Sequence, residues 1–266
     1  MAKIITVGNQ KGGVGKTTTT LTLGAGLKKK GYSVLFIDLD SQKNLSNSLR
    51  AQLDNVPNIL DLLLNQATIN QAGTEKNSIN IKNYIQSTPT GDIIPSTSLL
   101  STADMKFVDV MGREQLLKDA LNTIKNEYDY ILIDTPPALS ILTVNAFSTS
   151  DSIIIPMKAD KYSLDGLGQL YNTINIIQKK INPALTIDGI LFIEYNPRTA
   201  LTKALTKETK QIAEKIGIKV FNSYIRKSVS VPESQLKKTN LLDYPWSTAQ
   251  LDYKSFIDEF LSNRGE

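Results

Sequence analysis

The 266-residue sequence contains no cysteine and no histidine. Without cysteine the chain can form no disulfide, no thiolate metal site and no cysteine-ligated iron–sulfur cluster. Without histidine it lacks the usual general base, the serine–histidine triad and imidazole-bound zinc. Chemistry in this protein must therefore depend mainly on Asp, Glu, Lys and a metal ion.

Long apolar runs are also missing. No window reaches about 18 uninterrupted apolar residues, the length expected of a membrane-spanning helix. The first residues lead straight into a predicted strand, without the pattern of a signal peptide. With 41% apolar and 21% charged residues, the composition is that of an ordinary globular domain, and we expect a cytoplasmic protein. The net charge of +4 is a weak indication of a polyanionic partner.

A glycine-rich loop at residues 8–18, GNQKGGVGKTT, lies between a predicted strand at 3–7 and a predicted helix at 18–30. Backbone N–H groups of such a loop and the helix N-terminus converge on one point, which makes a phosphate site. The usual pattern G-x-x-x-x-G-K-[ST] requires glycine where Gln10 stands, so this loop is a variant, with an additional lysine at Lys11. We expect Lys16 to contact the outer phosphates and Thr17 to hold Mg²⁺. The alternative is a glycine-rich turn with a solvated lysine.

Aspartates follow two further predicted strands. Asp38 and Asp40 end the apolar run at 34–37, and Asp134 ends the run at 130–133. Ligands of open parallel sheets bind beyond the carboxyl ends of the strands, so these carboxylates are expected beside the glycine-rich loop. Asp134 is the candidate that holds Mg²⁺ directly or through water. The alternative is that these residues cap the helices that follow.

Predicted strands and helices alternate along the whole chain. We therefore expect one α/β domain over residues 1–266, with a doubly wound, mostly parallel sheet covered by helices on both faces. Residues 57–64 are predicted as a short helix, 65–80 as an exposed polar loop, and 113–126 as an amphipathic helix whose apolar side is core.

Four segments together resemble the ParA/Soj partition ATPases of the deviant Walker A (ParA/MinD) superfamily of P-loop NTPases. They are the loop at 11–18, the segment DLDSQKNL at 38–45, the segment IDTPP at 133–137, and YSLDGL at 162–167. The family's D-x-D-P-Q-G-N segment has Pro and Gly where this chain has Ser41 and Lys43. The resemblance extends from residue 3 to about residue 260.

This resemblance implies a slow, partner-stimulated ATPase that binds ATP and Mg²⁺ and forms a sandwich homodimer. Lys11 would contact the phosphates of the partner subunit, and Asp40 would position the attacking water. Lys11 and Lys16 would neutralise the charge that develops on the transferred phosphoryl group. Thr17, Asp38 and Asp134 would serve the metal. The nucleotide-binding residues implied are Lys11, Gly12, Gly13, Val14, Gly15, Lys16, Thr17, Thr18, Asn196, Arg226 and Lys227.

Two groups of basic residues occur in the C-terminal third. The first comprises Arg198, Lys203, Lys207 and Lys210, and the second comprises Arg226, Lys227, Lys237 and Lys238. By themselves such charges are usually a solvated surface. The resemblance implies nonspecific DNA binding through these regions, although the family's second arginine falls on Ser230. Phosphate contacts of this kind carry no sequence information and weaken with salt.

The implied function is plasmid or chromosome partition by a nucleoid-associated dimer, together with a ParB-like centromere-binding protein. No N-terminal helix-turn-helix domain is expected, so specific operator binding is disfavoured. The alternative is a membrane-associated positioning ATPase like MinD, which ends in a basic amphipathic helix. Here Asp258 and Glu259 stand in the terminal segment, which disfavours binding to anionic lipid.

Overall fold

The structure, a computed structural model, describes residues 1–72 and 79–266. Its strands are β1 (Lys3–Val7), β2 (Val34–Asp38), β3 (Gln86–Thr88), β4 (Gly91–Ile94), β5 (Tyr130–Asp134), β6 (Ser152–Lys158), β7 (Thr186–Tyr195) and β8 (Val220–Arg226). They form one eight-stranded sheet in the order β3-β4-β2-β5-β1-β6-β7-β8. Every neighbouring pair is parallel except β3 and β4. The predicted fold class is confirmed.

Helices cover both faces of this sheet. They are α1 (Lys16–Lys29), α2 (Asn44–Ser48), α3 (Ile59–Ala72), α4 (Ala103–Lys106), α5 (Leu116–Leu121), α6 (Ile141–Thr149), α7 (Lys161–Lys180), α8 (Ala200–Lys215), α9 (Ser230–Leu236) and α10 (Thr248–Ser262). Successive strand residues point to opposite faces. Ile131 and Ile133 accordingly pack in the core under α3, α5, α6 and α7, whereas Leu132 packs in the core under α1 and α10.

The predicted exposed loop at 65–80 is wrong for residues 65–72, because α3 continues to Ala72. Leu62, Leu63, Gln66 and Ala67 are buried at helical spacing, and this tertiary packing outweighs the low helix propensity of the Asn and Thr residues on the exposed side. The part of the prediction at 73–78 lies outside the described residues.

The helix predicted at 113–126 is shorter than expected. Regular helix is confined to α5, and turns follow it. The Asn145 Oδ1 atom of α6 accepts a hydrogen bond of 3.0 Å from the Leu117 N–H group, which fixes the first turn against α6. The apolar side from Leu116 to Ile124 is buried, as predicted for core.

The C-terminal helix α10 packs across α1 and β8. Phe256, Ile257 and Phe260 are buried in its apolar face, and Tyr253 exchanges a hydrogen bond of 3.0 Å with Thr19 of α1. A Cβ atom at Gly26 of α1 would lie 2.3 Å from Ile257 Cδ1, so the absence of a side chain there permits the contact. In the described part of the chain, no helix combines the length and apolarity needed to cross a bilayer.

Candidate nucleotide-binding site

The site lies where the carboxyl ends of three parallel strands meet. Val7 of β1 and Asp38 of β2 both pair in register with Asp134 of β5. Strand β1 lies between β5 and β6. From β1 the chain first adds strands on the β5 side of the sheet and later adds β6, β7 and β8 on the other side, so the loop after β1 lies at this switch point. Open α/β sheets bind ligands at this position. The sheet therefore brings the three predicted segments together.

Glycines hold the loop in a conformation that other residues adopt only with strain. Gly13 and Gly15 have left-handed backbones with φ of 68° and 79°. Gly15 immediately precedes α1, and a Cβ atom there would lie 3.2 Å from Ile193 Cγ2. In the part of the chain that the structure describes, no side chain caps the N-terminus of α1, and the first turn of α1 contains no acidic residue. The free backbone N–H groups of that turn suit an anionic ligand.

Lys16 is buried at the start of α1, with 7% of its surface exposed. Its Nζ atom donates a 3.1 Å hydrogen bond to the backbone oxygen of Lys11, across the loop. Burial lowers the pKa of Lys16, and the charges of Asp134 and Asp40 partly offset that effect. The ammonium group would therefore gain from a neighbouring polyphosphate, which supplies charge and hydrogen bonds in a poorly solvated place.

Thr17 and Asp134 form a direct contact, with the Thr17 hydroxyl donating a 2.6 Å hydrogen bond to Asp134 Oδ2. The other oxygen, Oδ1, is buried and has no hydrogen-bond partner among the described residues. Burial and the charge of Asp38 raise the pKa of Asp134 well above its usual value. An unpaired buried carboxylate oxygen beside a hydroxyl suits a hard cation such as Mg²⁺. Among the described residues, no three His, Cys, Asp or Glu side chains are placed so that together they could hold a metal ion, so phosphate and water oxygens would complete its shell.

Asp38 is fully buried, and both of its carboxylate oxygens accept hydrogen bonds. Oδ1 accepts from the Asp40 N–H group at 3.1 Å, and Oδ2 accepts from the Ser46 N–H group at 2.8 Å and its hydroxyl at 2.6 Å. Burial raises the pKa of Asp38 to about 6, although the bonds from Ser46 oppose that shift. In this structure Asp38 holds the turn between β2 and α2 in place, and its role toward a metal stays a prediction.

Asp40 lies on the wall of a cavity of about 450 Å³ together with Lys16 and Thr17. Its Oδ1 atom accepts a 3.0 Å hydrogen bond from the Gln42 N–H group, while the backbone oxygen of Asp40 accepts from the Ser96 hydroxyl. These contacts hold the carboxylate beside the phosphate loop, within the cavity in which a water molecule could be oriented. The catalytic role of Asp40 stays a prediction, and this geometry is compatible with it.

Lys11 does not line this cavity. Its Nζ atom instead donates to both carboxylate oxygens of Asp160 at 2.8 Å and to the Ser163 hydroxyl at 3.2 Å. Asp160 is the N-cap of α7, and its Oδ1 atom also accepts from the Ser163 N–H group. Within one chain, therefore, Lys11 is bound to α7, whereas Lys16 stays over the phosphate loop.

A second cavity, of about 550 Å³, adjoins the loop on the side of β7 and β8. Of the implied nucleotide-binding residues outside the glycine-rich loop, Arg226 and Lys227 line it. Asn196 is not among its lining residues, and its Oδ1 atom accepts from the Arg198 N–H group. The full lining comprises Gly13, Gly15, Thr18, Ile193, Glu194, Ile225, Arg226, Lys227, Ser228, Val229, Val231, Pro232, Gln235 and Tyr253.

Gln235 was not anticipated from the sequence. It lines both cavities, and its Nε2 atom donates a 2.9 Å hydrogen bond to the Thr18 hydroxyl, which ties α9 to the first turn of α1. A glutamine in the polar stretch PESQLKK carries no motif of its own, so only the three-dimensional contact identifies it.

The first basic group forms one face of α8. Lys203, Lys207 and Lys210 are spaced at i, i+4 and i+7, and they are exposed, as is Arg198 just before the helix. Across residues 1–72 and 79–266, no ion pair involves any of these four. Their positive charge is thus available to an external anion.

The second basic group is less uniform. The Arg226 guanidinium pairs with Asp252 at 2.6 Å, so it offers less net charge than the exposed Lys227. Lys237 and Lys238 are exposed at the end of α9, and Lys238 also lines the phosphate cavity. Ser230, where the family has its second arginine, is buried at 3% exposure.

Comparison with known proteins decides the family. A sequence model of the AAA domain family matches residues 2–187. The sporulation initiation inhibitor protein Soj of Bacillus subtilis is 39% identical over 238 residues, covering 88% of both chains. The chain belongs to the ParA/Soj family of partition ATPases. The chromosome-partitioning ATPase Soj of Treponema pallidum, another ParA/Soj protein, is 37% identical over 269 residues and matches along the full length of both chains.

A solved structure gives the same fold with a nucleotide. Cobyrinic acid a,c-diamide synthase from Mycobacterium smegmatis, crystallised with an ATP analogue and magnesium, aligns with a TM-score of 0.82 and 27% identity. The alignment covers 100% of this chain and 97% of that one. The ParA/Soj fold of this chain is thus shared by a protein that holds both an ATP analogue and magnesium.

Proposed function

We propose that this protein is an ATP-switched partition ATPase whose Mg²⁺-bound dimer binds DNA without sequence specificity. The observation that carries the proposal is the Thr17–Asp134 pair beside Lys16. It joins a phosphate loop to a buried carboxylate oxygen that has no hydrogen-bond partner within residues 1–72 and 79–266. ATP and Mg²⁺ fit these groups, and a solved relative of the same fold contains an ATP analogue and magnesium. The partition role is supported by the Soj proteins to which the chain is similar.

Each residue has a definite task in this scheme. The N–H groups of the loop and Lys16 bind the phosphates, while Thr17 and Asp134 hold Mg²⁺, directly or through water. A metal ion held by Thr17 and Asp134 would supply positive charge that offsets the negative charge of the phosphates. Asp40 orients the attacking water, since the chain has no histidine to do so. The cavity of about 550 Å³ receives the base.

The switch is a change of oligomeric state. Lys11 reaches the phosphates of a second subunit, so a dimer forms only when ATP is bound, and hydrolysis returns the subunits to monomers. Dimerisation doubles the number of basic α8 faces that can contact one DNA duplex. The affinity for DNA then depends on the nucleotide, because paired faces release more counterions than single ones. A ParB-like partner would stimulate hydrolysis, and the protein would act in the cytoplasm on the nucleoid.

The nucleotide half of this proposal is tested by two variants measured in parallel. Lys16→Ala should lose ATP binding, ATP hydrolysis and dimerisation together. Asp40→Ala should keep ATP binding and accumulate as a dimer in sedimentation velocity, because hydrolysis no longer separates the subunits. An Asp40→Ala protein that hydrolyses ATP at the wild-type rate would contradict the assigned role of Asp40.

The DNA half is tested with a matched pair of charge reversals. Arg198→Glu should weaken ATP-dependent binding to a random duplex at least tenfold and leave nucleotide binding intact. Lys118→Glu, at an exposed position of α5, makes the same change in net charge outside both basic groups and should have little effect. Equal losses in the two variants would mean that overall charge, and not this surface, governs binding.

The MinD-like alternative gains no support from α10. Its apolar residues Phe256, Ile257 and Phe260 are buried against the sheet, so membrane insertion would require this helix to leave its own core. ATP-dependent co-sedimentation with anionic liposomes would reverse this assignment.

A further inference from the structure

Every donor of the Lys11 ammonium group is already engaged within its own chain. Lysine has three N–H donors on its side-chain nitrogen. In the structure that nitrogen has three acceptors: Asp160 Oδ1 and Oδ2 at 2.8 Å each, and Ser163 Oγ at 3.2 Å. Its ammonium group also lies 5.8 Å from the centre of the Tyr162 ring. Lys11 has no donor left for a phosphate of a second subunit unless these bonds are released.

The backbone around Lys11 is fixed as well. The Lys11 N–H group donates to Asn9 Oδ1 at 2.9 Å, and the Asn9 amide donates to the backbone oxygen of Pro156 in β6 at 2.8 Å. Asp160 follows the same strand and caps α7. The start of the loop and the start of α7 are thus held against one strand. Release of Lys11 then requires movement of its side chain and leaves the loop in place.

We propose that Asp160 is a positioning residue for Lys11, which keeps the lysine on its own subunit until the nucleotide of a second subunit competes for it. The Lys11–Asp160 pair therefore opposes dimerisation, and it sets the concentration of ATP-bound protein at which dimers form. This inference rests on the proposed function, in which Lys11 acts across the dimer.

The environment of Asp160 suits an ion pair with Lys11 that is formed within one subunit and can be broken when another anion competes for Lys11. Burial alone would raise the pKa of Asp160, but the hydrogen bonds from Lys11 and Ser163 outweigh it and lower the pKa. The Lys11 and Asp160 side chains keep 33% and 35% of their surfaces exposed. A partly solvated pair of this kind is readily broken, whereas a fully buried one would be costly to separate.

The charge of Asp160 can be removed without removing the helix cap. Asn is as good an N-cap residue as Asp, so Asp160→Asn keeps the bond to the Ser163 N–H group and loses only the ionic part of the contact with Lys11. The Lys30–Asp258 pair, also at 2.8 Å, offers the matched control Asp258→Asn on α10.

The size of the effect follows from the number of pairs broken. Loss of one partly exposed ion pair corresponds to about 2- to 5-fold in equilibrium, and a dimer requires two to break, so Asp160→Asn should dimerise about 4- to 25-fold more tightly. Asp258→Asn should dimerise like the wild type. In a Lys11→Ala background, in which dimerisation is already weakened, Asp160→Asn should not strengthen it, since the pair no longer exists.

Sedimentation velocity with a non-hydrolysable ATP analogue and Mg²⁺ measures these dimerisation constants. Unchanged or weaker dimerisation of Asp160→Asn, or an effect that persists in the Lys11→Ala background, would overturn the inference. If the wild type itself stays monomeric with the analogue, the proposed function fails instead. The Lys11–Asp160 pair is then tested by the rate at which Lys11 is acetylated in the nucleotide-free protein. Asp160→Asn should raise this rate about 2- to 5-fold. An unchanged rate would contradict the proposed role of the pair.

Discussion

Replacing Asp134 with asparagine should stabilise the nucleotide-free protein while weakening its binding of Mg²⁺ and ATP. Asp134 and Asp38 are both fully buried and are register partners on β5 and β2. The charge of Asp38 adds to burial in raising the pKa of Asp134. Asparagine keeps the shape of the side chain and can still accept the hydrogen bond from Thr17, but it carries no charge.

The expected gain can be worked from the neighbouring carboxylate. A pKa of about 6 for Asp38, against 3.8 for an unperturbed aspartate, corresponds to about 3 kcal/mol of cost for the ionised form. The ionised form of Asp134 is disfavoured as well, since burial and the charge of Asp38 raise its pKa well above its usual value. A buried amide that lacks a full set of partners costs about 1–3 kcal/mol. Because the amide cost is set against the larger carboxylate cost, Asp134→Asn should gain up to about 2 kcal/mol, or up to about 8 °C in Tm.

The raised pKa values of Asp134 and Asp38 also predict how the stability of the folded protein changes with pH. A carboxyl group with a raised pKa binds more protons in the folded state than in the unfolded state, so stability falls as pH rises. For Asp38 this fall lies between about pH 4, near its usual pKa of 3.8, and its folded-state pKa of about 6, and Asp134 extends it upward. Asp134→Asn should show a shallower fall, so its advantage over the wild type should grow with pH.

Urea unfolding at pH 5 and pH 8, without nucleotide, measures this difference. Asp258→Asn, which removes an exposed carboxylate, serves as the control. Saturating Mg²⁺ and ATP should stabilise the wild type more than Asp134→Asn. An Asp134→Asn protein that is no more stable than the wild type at pH 8, or that shows the same difference at both pH values, would refute the reasoning.

Two further substitutions test the backbone of the site. Lys43 has a left-handed backbone with φ of 59°, at the position where the family has glycine, so Lys43→Gly should raise stability by about 0.5–1 kcal/mol in thermal unfolding. Lys43→Ala, which removes the charge but keeps the strain, should give no such gain, and equal gains would show that charge was responsible. Gly15→Ala should lower stability by about 1 kcal/mol or more and abolish ATP binding in calorimetry, because φ is 79° and Ile193 Cγ2 lies 3.2 Å from the new methyl group. Normal ATP affinity in Gly15→Ala would contradict the importance of this loop conformation.

The sheet and the phosphate site could be anticipated because their signals are local. A short apolar run followed by the glycine-rich loop gave β1 and α1, and the aspartates that end β2 and β5 were recognised as strand ends. Parallel pairing then brings Asp38 and Asp134 together in register. Where the prediction failed, at residues 65–72, the helix depends on burial of Leu62, Leu63 and Gln66, which no local pattern of Asn and Thr reveals.

Contacts between distant segments could not be read from the sequence. The bond between Gln235 and Thr18 joins residues 217 positions apart, and the pair of Lys11 with Asp160 joins residues 149 positions apart. Such pairings depend on how the strands are ordered and how each loop turns. The Arg226–Asp252 pair is a similar case: a residue counted as a basic contact is largely neutralised by a carboxylate from α10.

The most direct test of the account is a titration of a fluorescent random duplex with the wild-type protein, comparing ATP with ADP in the presence of Mg²⁺. The account predicts that ATP strengthens binding at least tenfold and that the logarithm of the affinity falls with the logarithm of the salt concentration more steeply with ATP, because two basic faces contact phosphates. Equal affinity and equal salt dependence with the two nucleotides would contradict it.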